Sequence, residues 1–172
     1  SNARQLIEKQ LGELEKIAVK ILFDKQMAPY VIKKNEYYIK LASENLMKYK
    51  NSSMLIDEIF LYFHGDSSII SSEGKMSIDT LEQYFFNFSR DEYNKLFKKL
   101  NSVKQPDTIG LANEIYSTGE GEYILYLYPD LVRDELPSTV IMFAIHKSTL
   151  IKFINNSLGE LDGEFYVIKN KG

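Results

Sequence analysis

The sequence predicts an α+β fold: an antiparallel sheet of about five strands with a long N-terminal helix. Three observations carry this. Residues Arg4 to Met27 place Leu6, Ile7, Leu11, Leu14, Ile17, Ala18, Ile21 and Leu22 on one broad stripe at alternating spacings of three and four, the period of an amphipathic helix. Leu55–Phe63, Tyr123–Tyr128 and Thr139–Ile145 are short aromatic and aliphatic runs with turn-forming flanks, the pattern of well-covered strands. The chain then closes in the order strand, strand, helix, strand.

Taken in order, Ser1-Asn2-Ala3 has the form of a scar left by a cleaved tag and is set aside. The first helix stops or kinks just before Pro29. Its stripe is too wide for a pure coiled-coil seam. Docking on a sheet accounts for it, and a second reading has its first turns also meeting a second copy of the chain. A second helix over Asn35 to Tyr49 turns Tyr38, Leu41, Ala42, Asn45, Leu46 and Tyr49 to one side. In the strand Leu55–Phe63, Ile59, Leu61 and Phe63 face one way and Ile56, Glu58, Phe60 and Tyr62 the other. His64-Gly65-Asp66-Ser67 is a turn, and Ser68–Ser72 returns as the hairpin partner.

Ser77–Phe86 reads as a short aromatic-rich helix, and Ser89-Arg90-Asp91-Glu92 is a capping box opening the next. Between Pro106 and Glu120 the sequence reads as an irregular apolar stretch folded back over the sheet. Tyr123–Tyr128 stops at Pro129. After Thr139–Ile145, Ser148 is the expected N-cap of a helix carrying Leu150, Ile151, Phe153, Ile154 and Leu158, and Phe165–Ile168 is the last strand.

The composition excludes several function classes. There is no cysteine among the 172 residues, so disulfide frameworks, thiolate nucleophiles and cysteine zinc sites are all absent. A net charge of −3 gives no field for nucleic acid, and no nucleic-acid partner is expected. The two histidines, His64 and His146, fall at strand ends without a metal-ligand motif. Asp57 and Glu58 point to opposite faces of a strand and cannot work as a catalytic pair. No catalytic residue, metal or cofactor is expected, and the chain is not read as an enzyme. Above this background stands an aromatic set that could line a pocket: Phe60, Tyr62, Tyr84, Phe88, Tyr93, Tyr116, Tyr126 and Tyr128. A packed core is the competing account of most of them.

The runs IDEIFLYF and SIISSEG, SRDEY opening a helix, and TVIMFAIHKSTLIKFI leading to GEFYVIKNKG together resemble the Cache superfamily of extracellular PAS-like sensors. The nearer likeness is to the extracellular regions of membrane-bound AraC-type regulators and histidine kinases of Gram-positive bacteria. The resemblance spans nearly the whole chain and implies a single sensor domain over residues 4–172, with a helical region at 4–50 and the sheet and its covering helices at 54–172. It implies a small-molecule pocket on the sheet face opposite the long helix and a membrane tether in the full-length protein; a homodimer through that helix rests on the second reading of its stripe. By that family's strand order Tyr126 joins Phe60 and Tyr62 in a cavity covered by the helix carrying Tyr84. The subgroup that grips amino acids uses a motif with a Trp and an Arg. This chain has no Trp, and neither Arg90 nor Arg133 is placed in that motif, so amino-acid binding by that route is not implied. The alternative function is a non-catalytic interaction or dimerisation module with no small-molecule ligand.

Overall fold

The computed structural model describes residues 2–81, 89–111, 123–130 and 137–159. Helix α1 (Asn2–Phe23) is followed by a 3-10 turn (Lys25–Met27) capped by Asp24, whose carboxylate accepts the Gln26 N–H. The regular helix therefore ends four residues earlier than its apolar period suggests. Pro29 opens the short α2 (Pro29–Ile32), where its missing N–H costs nothing. Asn35 caps α3 (Glu36–Asn51) by accepting from the Tyr37 and Tyr38 N–H groups.

Strands β1 (Glu58–Phe63), β2 (Ser68–Ser71) and β3 (Gly74–Ser77) form a meander. Its turns use Gly65 at φ 81° and Gly74 at φ 123°, backbone that side chains with a Cβ resist. Helix α4 (Ile78–Thr80) starts on Ser77, and α5 (Arg90–Leu100) on Ser89, whose hydroxyl accepts the Glu92 N–H as the capping box requires. Strands β4 (Asp107–Leu111), β5 (Tyr123–Pro129) and β6 (Thr139–His146) follow, then α6 (Lys147–Leu158). The sheet is antiparallel in every pair and runs β3-β2-β1-β6-β5-β4.

Three expectations change. The described sheet has six strands rather than about five, because β3 and β4 both exist. Among the described residues each is an edge strand bonded on one side, and Gly74 and Lys75 in one, and Asp107 and Gly110 in the other, break the apolar run that marks a covered strand. The first sheet strand begins at Glu58, not Leu55. The cap of α6 is His146, whose Nδ1 accepts the Ser148 N–H at 3.1 Å. Of the helix expected at Ser77–Phe86, residues 77–81 are described, with Ile78–Thr80 helical behind the Ser77 cap, and the strand expected at Phe165–Ile168 lies outside the described residues.

The sheet separates two apolar clusters. On one face α1, α3 and α6 bury Leu14, Ala18, Ile21 and Leu46 against Ile59, Leu61, Phe63, Ile141 and Phe143. This matches the docking expected of the long helix: Leu14 and Ile21 are buried and Ile17 is partly buried in that cluster. On the other face Leu96, Leu100 and Val103 of α5 and its exit, with Ile78 and Leu81, cover Phe60, Tyr62, Leu127, Val140 and Met142.

Candidate functional site

Register decides which aromatics meet. Phe60 of β1 pairs with Met142 of β6, which pairs with Leu127 of β5. Ile59 pairs with Phe143, and Phe143 with Tyr126. Directly paired residues share a face and successive ones alternate. Phe60 and Tyr62 therefore lie on the α5 face, and Tyr126 on the α1 face. Tyr126 stacks on Phe143 with ring centroids 6.1 Å apart, inside the α1 cluster. The expected grouping of Tyr126 with Phe60 and Tyr62 is corrected: the thickness of the sheet lies between them. Tyr128 is on Tyr126's side and donates its hydroxyl to Glu15 of α1 at 3.3 Å. Tyr93 packs with Phe60 and Tyr62. Tyr84, Phe88 and Tyr116 lie outside the described residues.

Phe60 and Tyr62 are both fully buried. The Tyr62 hydroxyl donates to Asn101 Oδ1 at 2.8 Å, and the Gly65 N–H donates to the same oxygen at 2.9 Å. Asn101 Nδ2 in turn donates to the Phe97 carbonyl at 2.9 Å, which fixes the amide's orientation. Asn101 is the C-cap of α5, so this clamp ties the covering helix to the β1–β2 turn. Burial pushes the Tyr62 phenol up, opposed by its bond to Asn101. Burial, with Glu15 adding to it, pushes the Tyr126 phenol up to about 12. Both phenols are thus neutral at physiological pH.

The acids of β1 have separate structural partners. Asp57 accepts the His146 N–H at 2.6 Å and the Thr149 hydroxyl at 3.0 Å, holding the start of α6 to the sheet. Glu58 is buried, contrary to the surface or edge role that favours a carboxylate. It accepts the Ser72 hydroxyl at 2.9 Å and the Ile59 N–H at 3.0 Å, with the Lys50 ammonium at 3.5 Å. A buried carboxylate needs such partners. The one sequence cue to this burial was its position inside an apolar run. Among the described residues no group of three or more His, Asp or Glu is placed to hold a metal, and no helix is long and apolar enough to cross a membrane.

No family model matches the chain, and no curated protein matches it. Among solved structures it is similar to the sensory domain of the Campylobacter jejuni chemoreceptor Tlp3, determined with isoleucine bound. The TM-score is 0.55 at 12% identity, over 88% of this chain and 58% of that one. At that identity the likeness shows the fold: this chain has the α+β architecture of a chemoreceptor sensory domain, with its long N-terminal helix and antiparallel sheet.

Proposed function

We propose that this chain is a sensory domain that binds a small molecule on the α5 face of its sheet and performs no catalysis. The observation that carries the reading is the division of the sheet into two faces, in a fold shared with a ligand-bound sensor. Three helices cover most of the α1 face. The α5 face carries Phe60 and Tyr62 beneath short elements joined to the sheet by connecting segments. Because the Tyr62 hydroxyl is held by Asn101, Phe60 and Tyr62 offer ring surface rather than a polar tip. The ligand is small and neutral or weakly charged, matching the uncharged side chains packed on this face, Phe60, Tyr62, Leu127, Val140 and Met142. In the full-length protein the domain is extracellular and tethered to a membrane signalling protein, an AraC-type regulator or a histidine kinase, and it pairs with a second copy through α1. The parent gene tests this directly: the location fails if no apolar run able to span a bilayer flanks the domain.

An overpacking variant tests the site. Ala144 is buried on the α5 face beside Met142. If a ligand cavity borders it, Ala144→Phe keeps its thermal midpoint and loses the response to whichever metabolite stabilises wild type. A ligand at 100 times its dissociation constant contributes about 2.7 kcal/mol, easily read by thermal shift. If that face is solid, the same substitution costs roughly 1–3 kcal/mol or more, and the site is elsewhere. The second reading, a non-catalytic interaction module, is favoured by the exposed Phe23, Tyr30 and Tyr37 on the helical side. A screen in which no metabolite stabilises wild type, together with self-association lost on Phe23→Ser, decides for it.

A further inference from the structure

On the helical side, away from the α5 face, α2 and the first turns of α3 stand over β1 and β2 around a cleft of about 420 Å³. Its floor is apolar: Ile32, Leu61, Phe63 and Ile70 line it and are buried members of the α1-side cluster. That volume lies in the range of small-molecule sites, about 300–1,000 Å³. An adjoining cleft of about 580 Å³ shares Glu36, Ile39 and Lys75 and continues to Ser43, whose hydroxyl is buried with no hydrogen-bond partner among the described residues.

The rim carries charges of both signs in equal number, Lys33 and Lys75 against Asp66 and Glu36, and its free donors among the described residues are Lys75 and Asn35. Lys33 is spent on Asp66 at 3.2 Å and lies 5.5 Å from the centre of the Phe63 ring. Lys75, on edge strand β3, is exposed and has no partner among the described residues. Asn35 uses its Oδ1 to cap α3, which leaves its Nδ2 hydrogens for a ligand. The N-terminal end of α3, a sixteen-residue helix, adds the positive end of its dipole. Against these stands Glu36 on the same rim, whose charge offsets that of Lys75, so a bound carboxylate has to sit on the Lys75 and Asn35 side of the cleft.

We propose that this cleft is a second binding site, separate from the α5 face, for a monocarboxylate with a short apolar chain. The carboxylate meets Lys75 and Asn35, and the chain lies on Ile70 and Phe63. The site stands independently of the sensory reading above.

The probe is hexanoate, followed through backbone amide shifts and calorimetry, with hexylamine as the charge-reversed control. Hexanoate is expected to give saturable shifts at Ile39, Ser68 and Lys75, and hexylamine none. Lys75→Gln, at an exposed position, leaves the fold intact and weakens hexanoate about fivefold. Ile39→Trp fills the cleft and abolishes binding, while Ala144→Phe on the other face leaves it unchanged. The proposal is overturned if no saturable shift appears at about 10 mM hexanoate. It is equally overturned if hexylamine binds as well as hexanoate, or if Lys75→Gln binds hexanoate as tightly as wild type.

Discussion

At the scale of single residues, Asn101 does the most for its size. Its one oxygen accepts from both Tyr62 and Gly65. Asn101→Ala removes the shorter partner of the Tyr62 phenol, leaving it the Asp66 carbonyl at 3.2 Å, and strips the Gly65 N–H of its acceptor, which should cost about 1–2 kcal/mol in chemical denaturation. Tyr62→Phe should cost less, about 1 kcal/mol, because Gly65 still satisfies the amide oxygen. The double variant should cost less than the sum, since both changes cut one network. Tyr126 makes a different prediction. Its folded phenol holds its proton up to about 12, against about 10 in an unfolded chain. Its contribution is thus complete below pH 10 and is lost as pH rises through 12. Tyr126→Phe should flatten the alkaline fall in stability over that window, in part only, because Tyr49, Tyr62, Tyr123 and Tyr128 are raised too. None of this was visible in sequence: Asn101 is 39 residues from Tyr62, and nothing local marks the pair.

At the scale of elements, α1 docks through a few side chains. Ile21 is 1% exposed, whereas Ile17 is only partly buried. Ile21→Ala should cost about 2–5 kcal/mol and Ile17→Ala distinctly less, measured by urea unfolding. A change under about half a kcal/mol at Ile21 would show that α1 is not docked there. The start of α6 rests on the His146 ring, so His146→Ala should cost about 1 kcal/mol and Ser148→Ala a smaller amount. The long helix, the hairpin and the two central runs were legible because their apolar periods are strong. The facing of Tyr126 was not. Strand β5 is apolar on both sides, with Leu125 and Leu127 buried as fully as Tyr126, so alternation carries no sign and only the register with Phe143 assigns the face. The cap of α6 slipped by two residues for a related reason: histidine is a rare cap, and a serine two positions on is the expected one.

At the scale of the whole molecule, among the described residues β2, β1, β6 and β5 each bond on both sides, and β3 and β4 on one. Amide hydrogen exchange should be slowest in Ile59–Leu61 and Ile141–Ala144 and several orders faster in Lys75 and Met76. Equal protection across the sheet would contradict the edge assignment. The overall class and the two-faced sheet were readable in the chain; the two edges were not, because a half-solvated strand leaves little apolar trace. The Asn101 clamp has a wider consequence. It joins α5 to the β1–β2 turn, and Asp66 of that turn holds Lys33 at the end of α2. The α5 cover and the helical side are therefore hinged through one corner of the sheet. Any occupant that lifts or settles α5 has to carry that corner with it or break the clamp. Under the proposed function, a ligand whose binding moves that corner would bias the helical layer, and by reciprocity a restraint on that layer would change the ligand's affinity by the same free energy.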